Sequence, residues 1–255
     1  MILSGVRLAS EAYKDNGFRG LLLDVNLYIR GVWHTLRNTP VASQGVTVPS
    51  PRELGVFRTA EILAGRYEQE EAELVKAYVP DASDVVELGG GIGFITAMTE
   101  HTTDNIGRHL VLEMNPQLHP ILRKIKEANQ LEVHIDKAAY AAQSESVRLE
   151  PGDTYTQTSV SETSTKGEPI PAKSLSALVD EYDLNQFALI VDIEGAERGL
   201  LEDEFDTMVE HCPVVIMELH RSSLGGDLTP HLEKLRSEYT LKADKDPVFA
   251  FRWTN

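Results

Sequence analysis

The spacing of apolar residues changes several times along the chain, and each change marks a different element. Phe18, Leu21, Leu22, Val25, Tyr28, Ile29, Val32, Trp33 and Leu36 recur every three or four positions, which predicts an amphipathic helix. Pro40, Gly45, Pro49, Ser50 and Pro51 break that rhythm, and 40–51 reads as a linker. Helical patterning returns over 51–78 and stops at Pro80 and Asp81. Short apolar runs at 85–88, 109–113, 132–135, 187–191 and 213–217 then predict strands. Helical stretches separate them, one following Gly93, one over 116–129, one over 174–182 and an acidic one after 197. Residues 146–149 and 154–158, around Pro151-Gly152-Asp153, read as a hairpin. Residues 159–173, rich in Ser, Thr, Pro and Gly, read as a loop placed to act as a lid or as a plain connector. A helix over 228–238 precedes two last strands at 239–243 and 248–253, an antiparallel edge pair. Strands alternating with helices predict an α/β fold with a mostly parallel sheet.

Composition narrows the function. The chain has 255 residues, enough for one sizeable α/β core, and is 42% hydrophobic. Its formal charge of −16 argues against a nucleic-acid partner, whose affinity comes from Lys and Arg on phosphates. Residues 1–50 differ, with five bases against three acids. They are expected to form an N-terminal amphipathic segment and linker ahead of a domain over 51–255. A basic amphipathic helix suits either a membrane surface or packing on its own domain or a partner subunit. The single Cys212 forms no internal disulfide, and no stretch resembles a signal peptide or a spanning helix, so the expectation is a cytoplasmic protein.

The candidate chemistry begins at Glu87-Leu88-Gly89-Gly90-Gly91-Ile92-Gly93. Glycines after a strand allow positive φ and let a ligand lie against bare main chain. A dinucleotide site needs G-x-G-x-x-G; here the third glycine comes one residue early and Phe94 stands in its place. The pattern E-x-G-x-G-x-G resembles the first motif of class I S-adenosylmethionine-dependent methyltransferases. That resemblance implies that Glu87 faces the amino-acid end of the cofactor and that Gly89, Gly91 and Gly93 pass beneath its methionine and ribose. Glu113 ends the second strand, twenty residues after Gly93, where a carboxylate accepts ribose hydroxyls. Met114 follows it. Asp136 ends the third strand, placed either to touch an adenine or to serve as an ordinary turn acid.

Three further segments are Arg66-Tyr67-Glu68, Asp192-Ile193-Glu194-Gly195-Ala196-Glu197 after the fourth strand, and Ile216-Met217-Glu218-Leu219-His220 after the fifth. Together they resemble the FkbM family of S-adenosylmethionine-dependent O-methyltransferases, from about Tyr67 to His220, most specifically in D-x-E-G-A-E. The resemblance implies the Rossmann-like class I methyltransferase fold, with seven strands in a mostly parallel sheet and helices on both faces. It adds Tyr67 and Asp192 to the cofactor contacts. It implies an acceptor hydroxyl on a sugar, glycan or natural product. The acidity makes the chain similar to haloarchaeal members that methylate a hexuronic acid of lipid-linked N-glycans. Asp192, Glu194 and His220 are the candidate catalytic groups, with His220 as a base near its ordinary pKa. Asp192, Glu218 and His220 also suit a divalent cation. A protein that only binds the cofactor and a dinucleotide oxidoreductase are the competing readings.

Overall fold

The computed structural model describes residues 25–150, 159–161 and 168–254. The chain forms two compact units, divided between Gln69 and Glu70. The predicted residues 18–24 of the first helix and the strand at 154–158 lie outside the described residues.

In the first unit, helix α1 covers 25–37. Strands β1 (Val41–Ser43) and β2 (Val46–Val48) pair antiparallel, so the expected linker is a hairpin instead. Val41, Val46 and Val48 are buried, and Gln44 and Gly45 both take positive φ, as a two-residue hairpin turn requires. Helix α2 (Pro51–Ala64) follows, with non-helical backbone at Gly55 and a left-handed cap at Gly65. The helical stretch expected over 51–78 thus divides at Gly65, with a second helix from Gln69 to Tyr78. A Cβ on Gly31 would lie 2.9 Å from the Val56 carbonyl oxygen, so α1 and α2 approach through bare backbone. Val25, Ile29, Trp33 and Leu36 remain exposed along α1.

The second unit begins with α3 (Gln69–Tyr78), β3 (Asp84–Leu88), α4 (Phe94–Thr102), β4 (His109–Leu112), α5 (His119–Asn129) and β5 (Val133–Asp136). Next come β6 (Ala139–Tyr140), β7 (Ser146–Glu150), β8 (Ser159–Ser161) and β9 (Pro169–Lys173). The chain closes with α6 (Leu175–Tyr182), β10 (Phe187–Val191), α7 (Glu197–Glu202), α8 (Phe205–His211), β11 (Val214–Glu218), α9 (Thr229–Glu238), β12 (Tyr239–Lys245) and β13 (Val248–Trp253). Seven strands form one sheet in the order β12-β13-β11-β10-β3-β4-β5. Five are parallel, and β12 and β13 make the antiparallel edge. This is the Rossmann-like, seven-stranded fold of class I methyltransferases.

Alternation along the strands explains both layers. Val86, Leu88, Leu110, Leu112, Leu189, Val191, Val215 and Met217 share a core with Leu178, Leu201, Met208 and Leu235 from α6 to α9. On the other face, Thr96 of α4 bonds Glu87, and Leu122 of α5 sits against the glycine turn. Every residue of Phe187–Val191 is buried, as suits a strand covered on both faces.

Of the segment expected as a loop over 159–173, Ser159–Ser161 and Pro169–Lys173 are strands of a second sheet, ordered β6-β9-β7-β8. β7 pairs antiparallel with both β8 and β9. Its inner face is small: Ala139, Ala141 and Val147, with Met114, Ile170 and Ala172 packed on them. Ser174 caps α6 by accepting the Ala177 N–H at 3.1 Å. Glu204 accepts the N–H groups of Leu175 and Ser176 at 2.7 and 2.9 Å. Among the described residues, no helix is long and apolar enough to cross a membrane.

Candidate active site

The carboxyl ends of the parallel strands gather the site, and the glycine turn after β3 is its floor. Gly89, Gly91 and Gly93 take φ of 94°, 54° and 91°. A Cβ on Gly89 would meet the Asp192 carbonyl oxygen at 1.8 Å, and one on Gly93 would meet Leu122 Cδ1 at 2.3 Å. These two glycines let β10 and α5 close on the turn. Gly91 differs, since a Cβ there would enter open space with nothing within 4 Å. A ligand reaching the turn meets bare backbone at Gly91.

Glu113, just past β4, stands beside that opening. Its Oε2 accepts the Gly91 N–H at 2.7 Å, and its Oε1 accepts the Asn115 N–H at 2.6 Å. Burial pushes its pKa up to about 7, against the lowering effect of those two N–H groups. Met114 follows and is half-buried.

Glu87 is not at the opening. It is 2% exposed, its Oε1 accepts the Thr96 hydroxyl at 3.0 Å, and its Oε2 lies 3.3 Å from His109 Nε2, an ion-pair contact. His109 Nδ1 is 3.0 Å from Glu100 Oε1. Burial opposes charge on His109, yet the carboxylates of Glu100 and Glu87 hold its pKa above the ordinary value. Glu87, expected from the resemblance to face the amino-acid end of a cofactor, is held here by Thr96 and His109 on the face opposite Val86 and Leu88.

Asp136, at the end of β5, is joined to the second sheet. Its Oδ2 accepts from Lys173 Nζ at 2.6 Å and from the Tyr182 hydroxyl at 3.0 Å. Tyr67 lies in the first unit, buried beneath the Arg58 guanidinium at 4.9 Å from its ring centre.

The ends of β10 and β11 bring the remaining groups together. The pairing of Val191 with Met217 puts Asp192 and Glu218 at neighbouring strand ends. Glu194 takes positive φ, followed by Gly195 at 112°, so the chain turns sharply into α7. His220 Nε2 lies 3.8 Å from Asp192 Oδ1, 3.7 Å from Glu194 Oε2 and 3.6 Å from Glu218 Oε1. Its Nδ1 is 2.6 Å from Glu197 Oε1. Glu197 is fully buried and also accepts the Gly195 N–H at 3.1 Å and the Ser223 hydroxyl at 3.0 Å.

Glu197 is the member that sequence reasoning missed as a site residue. It is the last acid of D-x-E-G-A-E, and only the fold shows that it meets His220. Its hydrogen bond assigns the Nδ1 proton and aims Nε2 at the other three carboxylates. Burial lowers the His220 pKa, but Glu197, Asp192 and Glu218 outweigh it and raise it to about 9. At neutral pH the imidazole is therefore cationic, where the sequence led one to expect a base near its ordinary pKa. Burial likewise raises the Glu218 pKa, partly offset by His220.

No protein-family model and no curated protein matches the chain. Solved structures share the fold at low identity. An FkbM methyltransferase from Methylobacillus flagellatus KT is 16% identical, with 88% of this chain covering 58% of that one at a TM-score of 0.49. A precorrin-6y C5,15-methyltransferase from Geobacter metallireducens GS-15 is 14% identical, with 74% and 89% covered and a TM-score of 0.45. An rRNA methylase from Streptococcus thermophilus is 10% identical, with 73% and 96% covered and a TM-score of 0.45. At these values the functional reading rests on the site.

Proposed function

We propose that the chain transfers a methyl group from S-adenosylmethionine to a hydroxyl oxygen of a sugar carried by a glycan or glycolipid. One observation carries this reading: the glycine turn that is open at Gly91 touches, through Gly89, the strand end bearing Asp192. A bare-backbone cradle and a polar cluster thereby share one rim. The cradle fits the cofactor, since Gly91 leaves room and Glu113, fixed on the Gly91 N–H, retains lone pairs for ribose hydroxyls.

S-adenosylmethionine supplies, when bound, a methyl group on a cationic sulfur. The chain's own groups do the rest. Asp192 and Glu194 orient the acceptor hydroxyl and accept its proton, because in-line displacement depends mainly on alignment. His220, charged at rest, steadies those carboxylates and becomes a base only after losing its Nε2 proton. The sugar acceptor is supported by the D-x-E-G-A-E resemblance. A lipid-linked acceptor would bring the enzyme to the cytoplasmic membrane face, and the exposed Val25, Ile29, Trp33 and Leu36 beside Arg30 and Arg37 suit that surface.

Titration calorimetry with S-adenosylmethionine and NAD tests the cofactor, with saturable binding expected for the first alone. NAD binding without S-adenosylmethionine binding overturns the reading. Mass spectrometry of glycans from a deletion strain tests the acceptor, and a species lighter by one methyl group is expected. His220→Ala and Asp192→Asn should each lower turnover about 10²-fold with cofactor affinity kept.

A further inference from the structure

Four side chains at the ends of β10 and β11 face one point without closing on each other. Three carboxylate oxygens stand at 3.6, 3.7 and 3.8 Å from a single nitrogen, His220 Nε2. A charge-assisted hydrogen bond draws its partners to about 2.7–2.9 Å, and none of the three has done so. The oxygens of Asp192 and Glu218 and the nitrogen of His220 all lie within 4.8 Å of one another. Ligands held about 2.1 Å from a common octahedral ion stand about 3 Å apart when adjacent and about 4.2 Å when opposite. The three separations from His220 Nε2 fall inside that span.

Two further observations separate this arrangement from an ordinary acidic rim. Asp192 Oδ1, the oxygen turned towards Nε2, is sealed from solvent although its residue is partly open. The imidazole is also pre-oriented from behind, because the buried Glu197 holds Nδ1. Metal-bound histidines commonly have a carboxylate, a backbone carbonyl or a water on the far nitrogen, which fixes the ring and strengthens the ligating one.

We propose that Asp192, Glu218 and His220 bind a divalent first-row cation of the Mn²⁺ type, with Glu194 at the rim and Glu197 as the outer carboxylate. Mixed carboxylate and imidazole donors suit such an ion. On binding, the cation takes the Nε2 lone pair, and the proton there leaves to solvent. In combination with the methyl-transfer reading, on which this role rests, an acceptor hydroxyl bound to the ion is a stronger acid and gives up its proton more readily. Binding itself does not depend on that reading.

Electron paramagnetic resonance of Mn²⁺ added to the full chain, stripped with EDTA and free of cofactor and acceptor, tests the site. One bound Mn²⁺ per chain is expected, with affinity lowered tenfold or more in Asp192→Asn and in Glu218→Gln, and about tenfold in Glu197→Gln. Failure of the wild-type chain to bind Mn²⁺ at millimolar concentration overturns the proposal, as does unchanged affinity in Asp192→Asn and Glu218→Gln together. Undiminished methyl transfer in EDTA overturns the ion's catalytic role alone. Mn²⁺ binding by a chain that transfers no methyl group overturns the methyl-transfer reading alone.

Discussion

The Asp192 carbonyl oxygen fills the space that a side chain on Gly89 would need, 1.8 Å from an ideal Cβ. The ends of β3 and β10 are further joined by the Asp192 N–H donating to the Leu88 carbonyl at 2.9 Å. Gly89→Ala must therefore move backbone as well as adopt an unfavourable φ. A cost on the order of 3 kcal/mol is expected, combining clash and strain. Thermal unfolding should show it as a fall in Tm of about 6 °C or more. Gly91→Ala meets nothing and has φ of 54°, a left-handed value that alanine tolerates at about 1 kcal/mol. It should melt close to wild type yet lose most of its S-adenosylmethionine affinity, because its methyl group enters the cradle. Equal affinity in both proteins would remove Gly91 from the cofactor site.

Under the proposed function, Glu113 would tie cofactor binding to pH. With its pKa at about 7, the carboxylate is about one-tenth ionised at pH 6 and about nine-tenths at pH 8. The ionised form is the better acceptor for ribose hydroxyls, so affinity should rise by up to about tenfold across that interval. Calorimetry at the two pH values measures it. Glu113→Gln should bind more weakly and show a flat profile, while a wild-type profile already flat would break the link to the ribose.

His109 ties stability to pH in the opposite sense. Its folded pKa lies above the ordinary 6.5 because Glu100 and Glu87 flank it. The stability it contributes is fully present below pH 6.5 and is lost as pH rises through the folded value. His109→Gln should cost on the order of 3 kcal/mol in the acidic range, since it leaves the buried Glu87 and the half-buried Glu100 without their cation. The gap between the two proteins should narrow towards alkaline pH. Urea unfolding at pH 6 and pH 9 checks both, and a gap independent of pH would assign His109 a packing role only.

Much of the sheet was legible because its strands are buried on both faces and therefore read as unbroken apolar runs. Phe187–Val191 is the clearest case. The hairpin at 41–48 was hidden by its glycine and by the flanking Pro40 and Pro49, although Val41, Val46 and Val48 alternate around Gln44-Gly45. The small sheet was harder still, since β6 has two residues and β9 carries two prolines. Within the site, the strand-end acids followed from position alone. The company each acid keeps did not. Glu87 meets His109 and Asp136 meets Lys173 through strand register and chain reversal, which local spacing does not encode. The raised pKa of His220 was invisible for the same reason: Glu197, on α7, reaches it from across the strand ends.

The pairing of Val191 with Met217 has a consequence for how such a fold diversifies. Asp192 and Glu218 each follow directly on a residue of neighbouring parallel strands, so their separation is inherited from the hydrogen-bond ladder, about 4.8 Å between strands. Surrounding loops can be rebuilt, lengthened or exchanged with relatives while that interval stays constant. Under the proposed function, selectivity for the acceptor and the capacity for transfer would then be separately inheritable traits, one written in the loops and the other in the warp of the sheet.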